Sequence, residues 1–191
     1  MGLILPRENI IFIHIPKTGG QSICKAFEQW YDKPSYWDYY NNLELETAHF
    51  TASEIKEKVG GFFNRAFKFT VKRNEHDRLV SFYHYGLRKL KPSPFKDFNH
   101  FIDYVIGNCE VELTGTNQRW YLARLNSNHW VDIKMDYVID FDNLEEDWKV
   151  IEEHVGEPIK LPFVNKSAHS DYREYYTKET FKLIEEWSQK I

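Results

Sequence analysis

Short apolar runs alternate with amphipathic segments along the chain, and this alternation predicts strands followed by helices. Three apolar runs predict strands, at Ile10–Ile15, Ala66–Lys72 and Tyr137–Phe141. Helical spacing of apolar residues, or a polar cap ahead of them, predicts helices at about 21–30, from Thr51 onward, and at 77–90, 98–106, 118–125, 143–154 and 178–189. Strands that alternate with helices indicate βαβ units. We therefore expect an α/β fold, with a three-layer parallel sheet flanked by helices.

The length and composition are those of one folded domain. A chain of 191 residues suits a single domain over residues 1–191, and 42% hydrophobic residues exclude a disordered or low-complexity chain. No apolar run approaches the ~18 residues of a membrane span, and the N-terminus lacks the basic region of a signal peptide. Cys24 and Cys109 are far apart and form no CxxC pair. We expect a reduced, cytoplasmic compartment and a bacterial or viral origin.

The charge is unevenly distributed. The net charge of −4 argues against general nucleic-acid binding. Residues 65–91 nevertheless carry eight basic groups against two acids, whereas residues 139–157 carry eight acids against one lysine. Solvated helix faces explain the acidic stretch. The basic stretch overlaps a candidate site for an anionic ligand.

The first candidate site is the turn that follows the strand Ile10–Ile15. Pro16 and Lys17 precede Thr-Gly-Gly, and a helix begins near Gln21. Unpaired N–H groups and the positive end of the helix dipole favour an anion at such a helix start. The lysine precedes the glycines, whereas a Walker A loop places it after them, next to a magnesium-binding hydroxyl. This order predicts a phosphate-type ligand bound without an obligatory metal, and no histidine has metal-ligand spacing with cysteines or acids.

At these residues the sequence FIHIPKTGGQSI resembles the 5′-phosphosulfate-binding loop of sulfotransferases. The resemblance is to the carbohydrate branch of that family, typified by heparan sulfate 2-O-sulfotransferase. It implies a sheet similar to the P-loop nucleotide-binding fold and a sulfuryl donor, 3′-phosphoadenosine 5′-phosphosulfate (PAPS), with adenosine 3′,5′-bisphosphate as product. It also implies that Lys17 contacts the bridging and leaving oxygens. The loop residues implied to wrap the 5′-phosphate are Thr18, Gly19, Gly20, Gln21 and Ser22, of which Gln21 replaces the usual threonine or serine.

A second segment, FKFTVKRNEHDRLVSFYHY, resembles the 3′-phosphate-binding segment of the same family. Arg73 follows a strand and Ser81 lies on the next helix, eight residues later, which is the spacing that the family uses. The resemblance implies that both contact the 3′-phosphate, Arg73 through a charge-assisted fork. Glu75 stands where the family usually has proline, which puts the turn geometry and the donor affinity in question. The Asp77–Arg78 pair matches the family and is also interpreted as an ion pair at the helix start.

The remaining candidate residues are less specific. His49 lies between the two donor motifs, in a position comparable with the family's catalytic base, and a neutral imidazole suits proton transfer. His14, on the first strand, competes for that role, but we interpret it as structural. Lys166 and Ser167 lie in a late loop that in the family often folds over the nucleotide. Aromatic residues outside the resemblance either stack on sugar rings or fill the core, and the core is favoured.

The resemblance implies an enzyme that moves a sulfuryl group from PAPS to a hydroxyl group of a carbohydrate. Its partners are then the small-molecule donor and a hydroxyl acceptor, with no nucleic acid, membrane span or metal. Two alternatives remain open. One is a non-catalytic domain of the same fold that binds a nucleotide or a glycan. The other is a nucleotide kinase, which requires the Walker-type lysine that the sequence lacks.

Overall fold

The computed structural model describes residues 2–28, 50–89, 93–110, 125–164 and 169–189. They group into two compact units, one formed by Met1–Arg73 with Trp130–Lys166 and the other by Asn74–His129 with Ser167–Ile191. Two compact units can belong to a single domain, and they can also be separate domains. The interpretation of residues 1–191 as one domain therefore stays a prediction.

The elements follow the predicted alternation. The strands in the described ranges are β1 (Leu3–Leu5), β2 (Ile10–Ile13), β3 (Phe67–Lys72) and β4 (Tyr137–Asp140). The α-helices there are α1 (Gly20–Glu28), α2 (Ala52–Val59), α3 (Gly61–Arg65), α4 (Glu75–Lys89), α5 (Phe98–Val105), α6 (Leu144–Val155) and α7 (Lys178–Ser188). Short 3₁₀ turns cover Ser127–Trp130, Phe141–Asn143 and Tyr172–Tyr175. The helix predicted at 118–125 falls almost wholly outside the described residues.

The sheet lies in the first unit and has the order β1-β2-β3-β4. The three strands predicted from apolar runs are confirmed and are parallel, with Phe12 of β2 opposite Phe69 of β3. The short strand β1 was not predicted, and it pairs antiparallel with β2. The sheet is therefore mixed rather than wholly parallel. A tight connection that includes Asn9, at a φ of 59°, turns the chain back and allows this antiparallel pairing. The α/β fold class is confirmed.

Helices cover both faces of this sheet, which gives the first unit three layers. On one face, α1 and α6 pack their apolar residues, among them Phe27 and Trp148, against Phe12 and Phe69. On the other face, α2 and α3 pack against the alternate residues of β2. Because side chains of a strand alternate between faces, every residue of β2 is buried. A strand buried on both faces fixes the position of the turn that leaves its carboxyl end.

The cap of α2 confirms a detail of the sequence prediction. Thr51 is the N-cap, its hydroxyl accepts from the Glu54 amide, and the Glu54 carboxylate accepts from the Thr51 amide. These reciprocal bonds form the capping box that the sequence predicts. The helix therefore begins where the sequence predicts it.

The second unit has its own apolar core, formed by α4, α5 and α7 with the turn Tyr172–Tyr175. The aromatic residues Phe95, Phe98 and Phe101 lie in this core and are at most 8% exposed. These three belong to the aromatic residues for which the sequence leaves sugar stacking and core packing open, and they pack in the core, the alternative that the sequence favours. In the described residues, no helix has the length and apolarity needed to cross a membrane.

Candidate functional site

The turn between β2 and α1 has an unusual backbone. Lys17 has a φ of 72° and Gly19 a φ of 80°. Glycine adopts this left-handed region readily, but for lysine it costs about 1–2 kcal/mol. Strain of this kind persists only where neighbouring contacts hold it, and it concentrates at functional sites. The helix α1 begins directly afterwards, at Gly20.

Two hydroxyl groups of this loop are buried and hold its shape. Thr18 Oγ1 donates a 2.8 Å hydrogen bond to the carbonyl of Ile15, and Thr18 is fully buried. Ser22 Oγ accepts a 3.1 Å hydrogen bond from the amide of Val164. The side chain of Thr18 thus closes the turn, whereas Ser22 Oγ keeps its own hydrogen to donate. The sequence identifies both residues as loop hydroxyls, but it does not reveal these partners.

Gly20 lies directly against the ring of His14. A Cβ atom built on Gly20 would lie 2.1 Å from His14 Cδ2 and 2.2 Å from Nε2. His14 is only 7% exposed, and its ring stacks on Phe12. The close approach of α1 to His14, the residue that follows β2, therefore requires glycine at this position. This packing agrees with a structural role for His14.

Arg73 and Phe141 flank the same loop in the first unit. Arg73 Nη1 donates a 3.2 Å hydrogen bond to the carbonyl oxygen of Lys17. The Arg73 Cζ atom lies 4.5 Å from the centre of the Phe141 ring, within the range of a cation–π contact. A Cβ atom on Gly19 would lie 3.2 Å from the edge of that ring. The loop, the arginine and the aromatic ring thus form one contiguous cluster.

The second donor motif continues into the second unit. Ser81 is buried on α4. The Glu75 carboxylate accepts a 3.0 Å hydrogen bond from Arg78 Nε and pairs with the same guanidinium at 2.5 Å. Arg78 is fully buried and also donates to the carbonyl of Leu125. The Arg78 guanidinium thus forms an ion pair with the carboxylate of Glu75 and neutralises its charge. Glu75 is the residue that stands where the family usually has proline.

Three predicted site residues lie outside the described residues. They are the candidate base His49 and the late-loop residues Lys166 and Ser167. Among the described residues, no group of three or more His, Cys, Asp or Glu side chains is placed to hold a metal ion.

Phe141 is the contact that the sequence did not reveal. The pattern predicts it as the last residue of a strand, but β4 ends at Asp140. Asp140 caps the following 3₁₀ turn, since its carboxylate accepts from the amide of Asp142 at 3.0 Å. The turn redirects the chain at Phe141, whose ring reaches Gly19. The one sequence signal for this turn is Asp140, because an aspartate side chain often accepts a hydrogen bond from the backbone amide two residues later.

Comparison with known proteins agrees with this geometry. No curated protein sequence matches the chain. The sequence model described as the sulfotransferase family matches residues 3–190. The match includes both glycines of the loop, Arg73 and the helix that carries Ser81. The chain therefore belongs to the sulfotransferase family.

Proposed function

We propose that this protein transfers a sulfuryl group from PAPS to a hydroxyl group of a carbohydrate. Membership of the sulfotransferase family supports sulfuryl transfer as the reaction class, and the family generally uses PAPS. The observation that carries the proposal is the strained loop, in which Lys17 takes a left-handed backbone three residues before the helix start at Gly20. Gly20 lets the start of α1 pack directly against the His14 ring, and the N–H groups of a helix start favour an oxyanion.

In the proposed reaction, the acceptor oxygen attacks sulfur in line with the bond to the 5′-phosphate. That sulfur–oxygen bond breaks, and its electron pair stays on the phosphate oxygen of adenosine 3′,5′-bisphosphate. Lys17 stabilises the negative charge that develops there, and the loop residues Thr18 to Ser22 orient the 5′-phosphate. Ser22 does so through its hydroxyl, because its amide donates a 2.8 Å hydrogen bond to the carbonyl of Gly19. His49 takes the proton of the acceptor hydroxyl. No metal is needed, since the balancing charge comes from lysine and the helix start.

Recognition of the 3′-phosphate is assigned to Arg73 and Ser81. The assignment rests on their spacing in the sequence and on the exit of Arg73 from β3. Lys166 and Ser167 are proposed as further donor contacts from the late loop. Recognition at the 3′-position would distinguish PAPS from ATP, which has no phosphate there.

Transfer of labelled sulfate from PAPS to a panel of glycans tests this function. We expect transfer by the wild type and a loss of at least ~100-fold in Lys17→Ala and in His49→Ala, judged from the contribution of one charge-stabilising donor or one general base. Lys25→Ala is the matched control, because Lys25 is an exposed lysine on α1. Near wild-type turnover in Lys17→Ala or His49→Ala would refute the role of that residue. Donor binding without transfer to any hydroxyl acceptor would favour the non-catalytic alternative.

A further inference from the structure

Phe141 occupies a position that its neighbours fix firmly. It begins the 3₁₀ turn Phe141–Asn143 directly after β4, and its side chain packs against the core beneath α1 and α6. The preceding backbone is held by Asp147, whose carboxylate accepts from the amide of Asp140 at 2.7 Å. The ring is therefore presented by a rigid part of the first unit. The proposed reaction assigns no role to this ring.

Two charged or strained elements of the loop cluster meet at this ring. The edge of the ring lies against Gly19, where the backbone is left-handed. The Arg73 guanidinium lies over the ring at 4.5 Å. A guanidinium held over an aromatic ring is attracted to the ring face, and its N–H donors lie in its own plane. This contact therefore limits the orientations that the Arg73 guanidinium can offer to an anion.

Arg73 also connects the ring to the lysine of the loop. Its Nη1 donates to the carbonyl oxygen of Lys17 at 3.2 Å, and Lys17 has the strained φ of 72°. One guanidinium thus contacts both the ring and the strained peptide. A change in the ring would alter the orientation of Arg73 and, through that hydrogen bond, the backbone that carries the Lys17 ammonium.

We propose that Phe141 is a positioning residue for the sulfuryl donor, and this inference rests on the proposed function. Its ring sets the plane of the Arg73 guanidinium and supports Gly19. The group that recognises the 3′-phosphate and the loop that holds the 5′-phosphosulfate are therefore aligned by one side chain. Phe141 itself touches neither phosphate nor sulfur.

The test compares the binding of adenosine 3′,5′-bisphosphate with that of adenosine 5′-phosphate by calorimetry. Phe141→Leu removes the aromatic face but keeps an apolar side chain, and we expect it to weaken bisphosphate binding about 2- to 30-fold. The loss should be smaller for adenosine 5′-phosphate, which is affected only through the loop and has no 3′-phosphate to contact Arg73. Phe141→Tyr keeps the ring and should bind within about twofold of the wild type, the margin that corresponds to loss of the weakest such contact.

Phe62→Leu is the matched control. Phe62 lies in the first unit under Arg65, with Cζ 5.1 Å from the ring centre, and packs on the other face of the sheet. It should bind both nucleotides like the wild type. Wild-type binding by Phe141→Leu would overturn the proposal. The proposal would also be overturned if Phe141→Leu and Phe141→Tyr each weakened the binding of both nucleotides equally, because that result would indicate a merely structural role.

Hydrogen exchange of the loop amides in the ligand-free protein separates this inference from the proposed function. We expect Phe141→Leu to exchange the amides of Lys17 to Gly20 faster than the wild type and Phe62→Leu do. Unchanged exchange in Phe141→Leu would overturn the support of the loop by the ring. A wild type that binds both nucleotides equally well would instead refute the proposed use of PAPS, whatever the exchange rates show.

Discussion

Replacing Gly20 by alanine probes the contact between the start of α1 and His14, the residue that follows β2. The added Cβ would lie 2.1 Å from His14 Cδ2, 2.2 Å from Nε2 and 2.7 Å from Cγ. Ordinary carbon contacts lie at about 3.5–4.0 Å, so the ring would have to move by roughly an ångström and a half. His14 is 7% exposed and its ring stacks on Phe12, so the ring has little space into which it could move.

The expected cost follows from this overlap. Overpacking a filled site lowers the free energy of unfolding by about 1–3 kcal/mol, so we expect Gly20→Ala to lose an amount in that range. The displaced helix start should also weaken the binding of adenosine 3′,5′-bisphosphate. Urea denaturation followed by tryptophan fluorescence measures the first effect, and calorimetric titration measures the second.

The chain offers both a control and a compensating change. A Cβ on Gly61, the first residue of α3, would meet nothing within 4 Å, so Gly61→Ala should leave stability unchanged or slightly raised. Adding His14→Ala to Gly20→Ala removes the obstructing ring, and we expect a favourable coupling of about 0.5–3 kcal/mol between the two changes. The reasoning would be refuted if Gly20→Ala were as stable as Gly61→Ala, or if the two changes were strictly additive.

Three further changes test other parts of the structure. Asp136→Asn should cost about 1 kcal/mol at pH 7, because the carboxylate pairs at 2.6 Å with the largely buried Lys68 but is itself 44% exposed and therefore partly screened by solvent. Burial raises the pKa of Asp136, but the hydrogen bonds and charge of Lys68 lower it more. Urea denaturation should therefore show the difference from wild type at pH 7 and its progressive loss as the pH falls through that lowered pKa, and a difference that does not change with acidification would contradict this. Arg78→Ala leaves the largely buried Glu75 carboxylate unpaired and should destabilise the second unit by about 3–5 kcal/mol, whereas an unchanged melting temperature by circular dichroism would argue against a structural role of the pair. Burial raises the pKa of the Cys24 thiol to about 11, so iodoacetamide at pH 8 should modify only the chain's other cysteine while the protein is folded, and rapid modification of both would contradict the burial.

Of the three strands that the sequence predicts correctly, Tyr137–Asp140 is only partly buried, and the other two are buried on both faces over most of their length. These two are Ile10–Ile13 and Phe67–Lys72, and their neighbouring helices follow from caps and spacing. The strand Leu3–Leu5 has three residues and no pattern long enough to detect. Its antiparallel pairing depends on a turn whose backbone angles the sequence does not reveal.

The candidate site is predictable in residue type but not in the direction of its hydrogen bonds. The order of Lys17 and the two glycines identifies the loop, yet Thr18 Oγ1 donates to Ile15, a partner that residue type alone does not predict. The ring of Phe141 joins the loop through a turn between elements far apart in the sequence. The pairing of Glu75 with Arg78, three residues apart on one helix, could have been expected from helical spacing. That spacing shows how a departure from the family pattern is balanced locally.

The most direct test of the central claim is calorimetric titration of the wild type with adenosine 3′,5′-bisphosphate and with ATP in the presence of Mg²⁺. Use of PAPS without a metal predicts tight binding of the bisphosphate that depends on the 3′-phosphate and not on Mg²⁺. A Lys17→Ala variant that keeps its fold should bind the bisphosphate less tightly. Binding of ATP with Mg²⁺ as tight as, or tighter than, that of the bisphosphate would contradict the account.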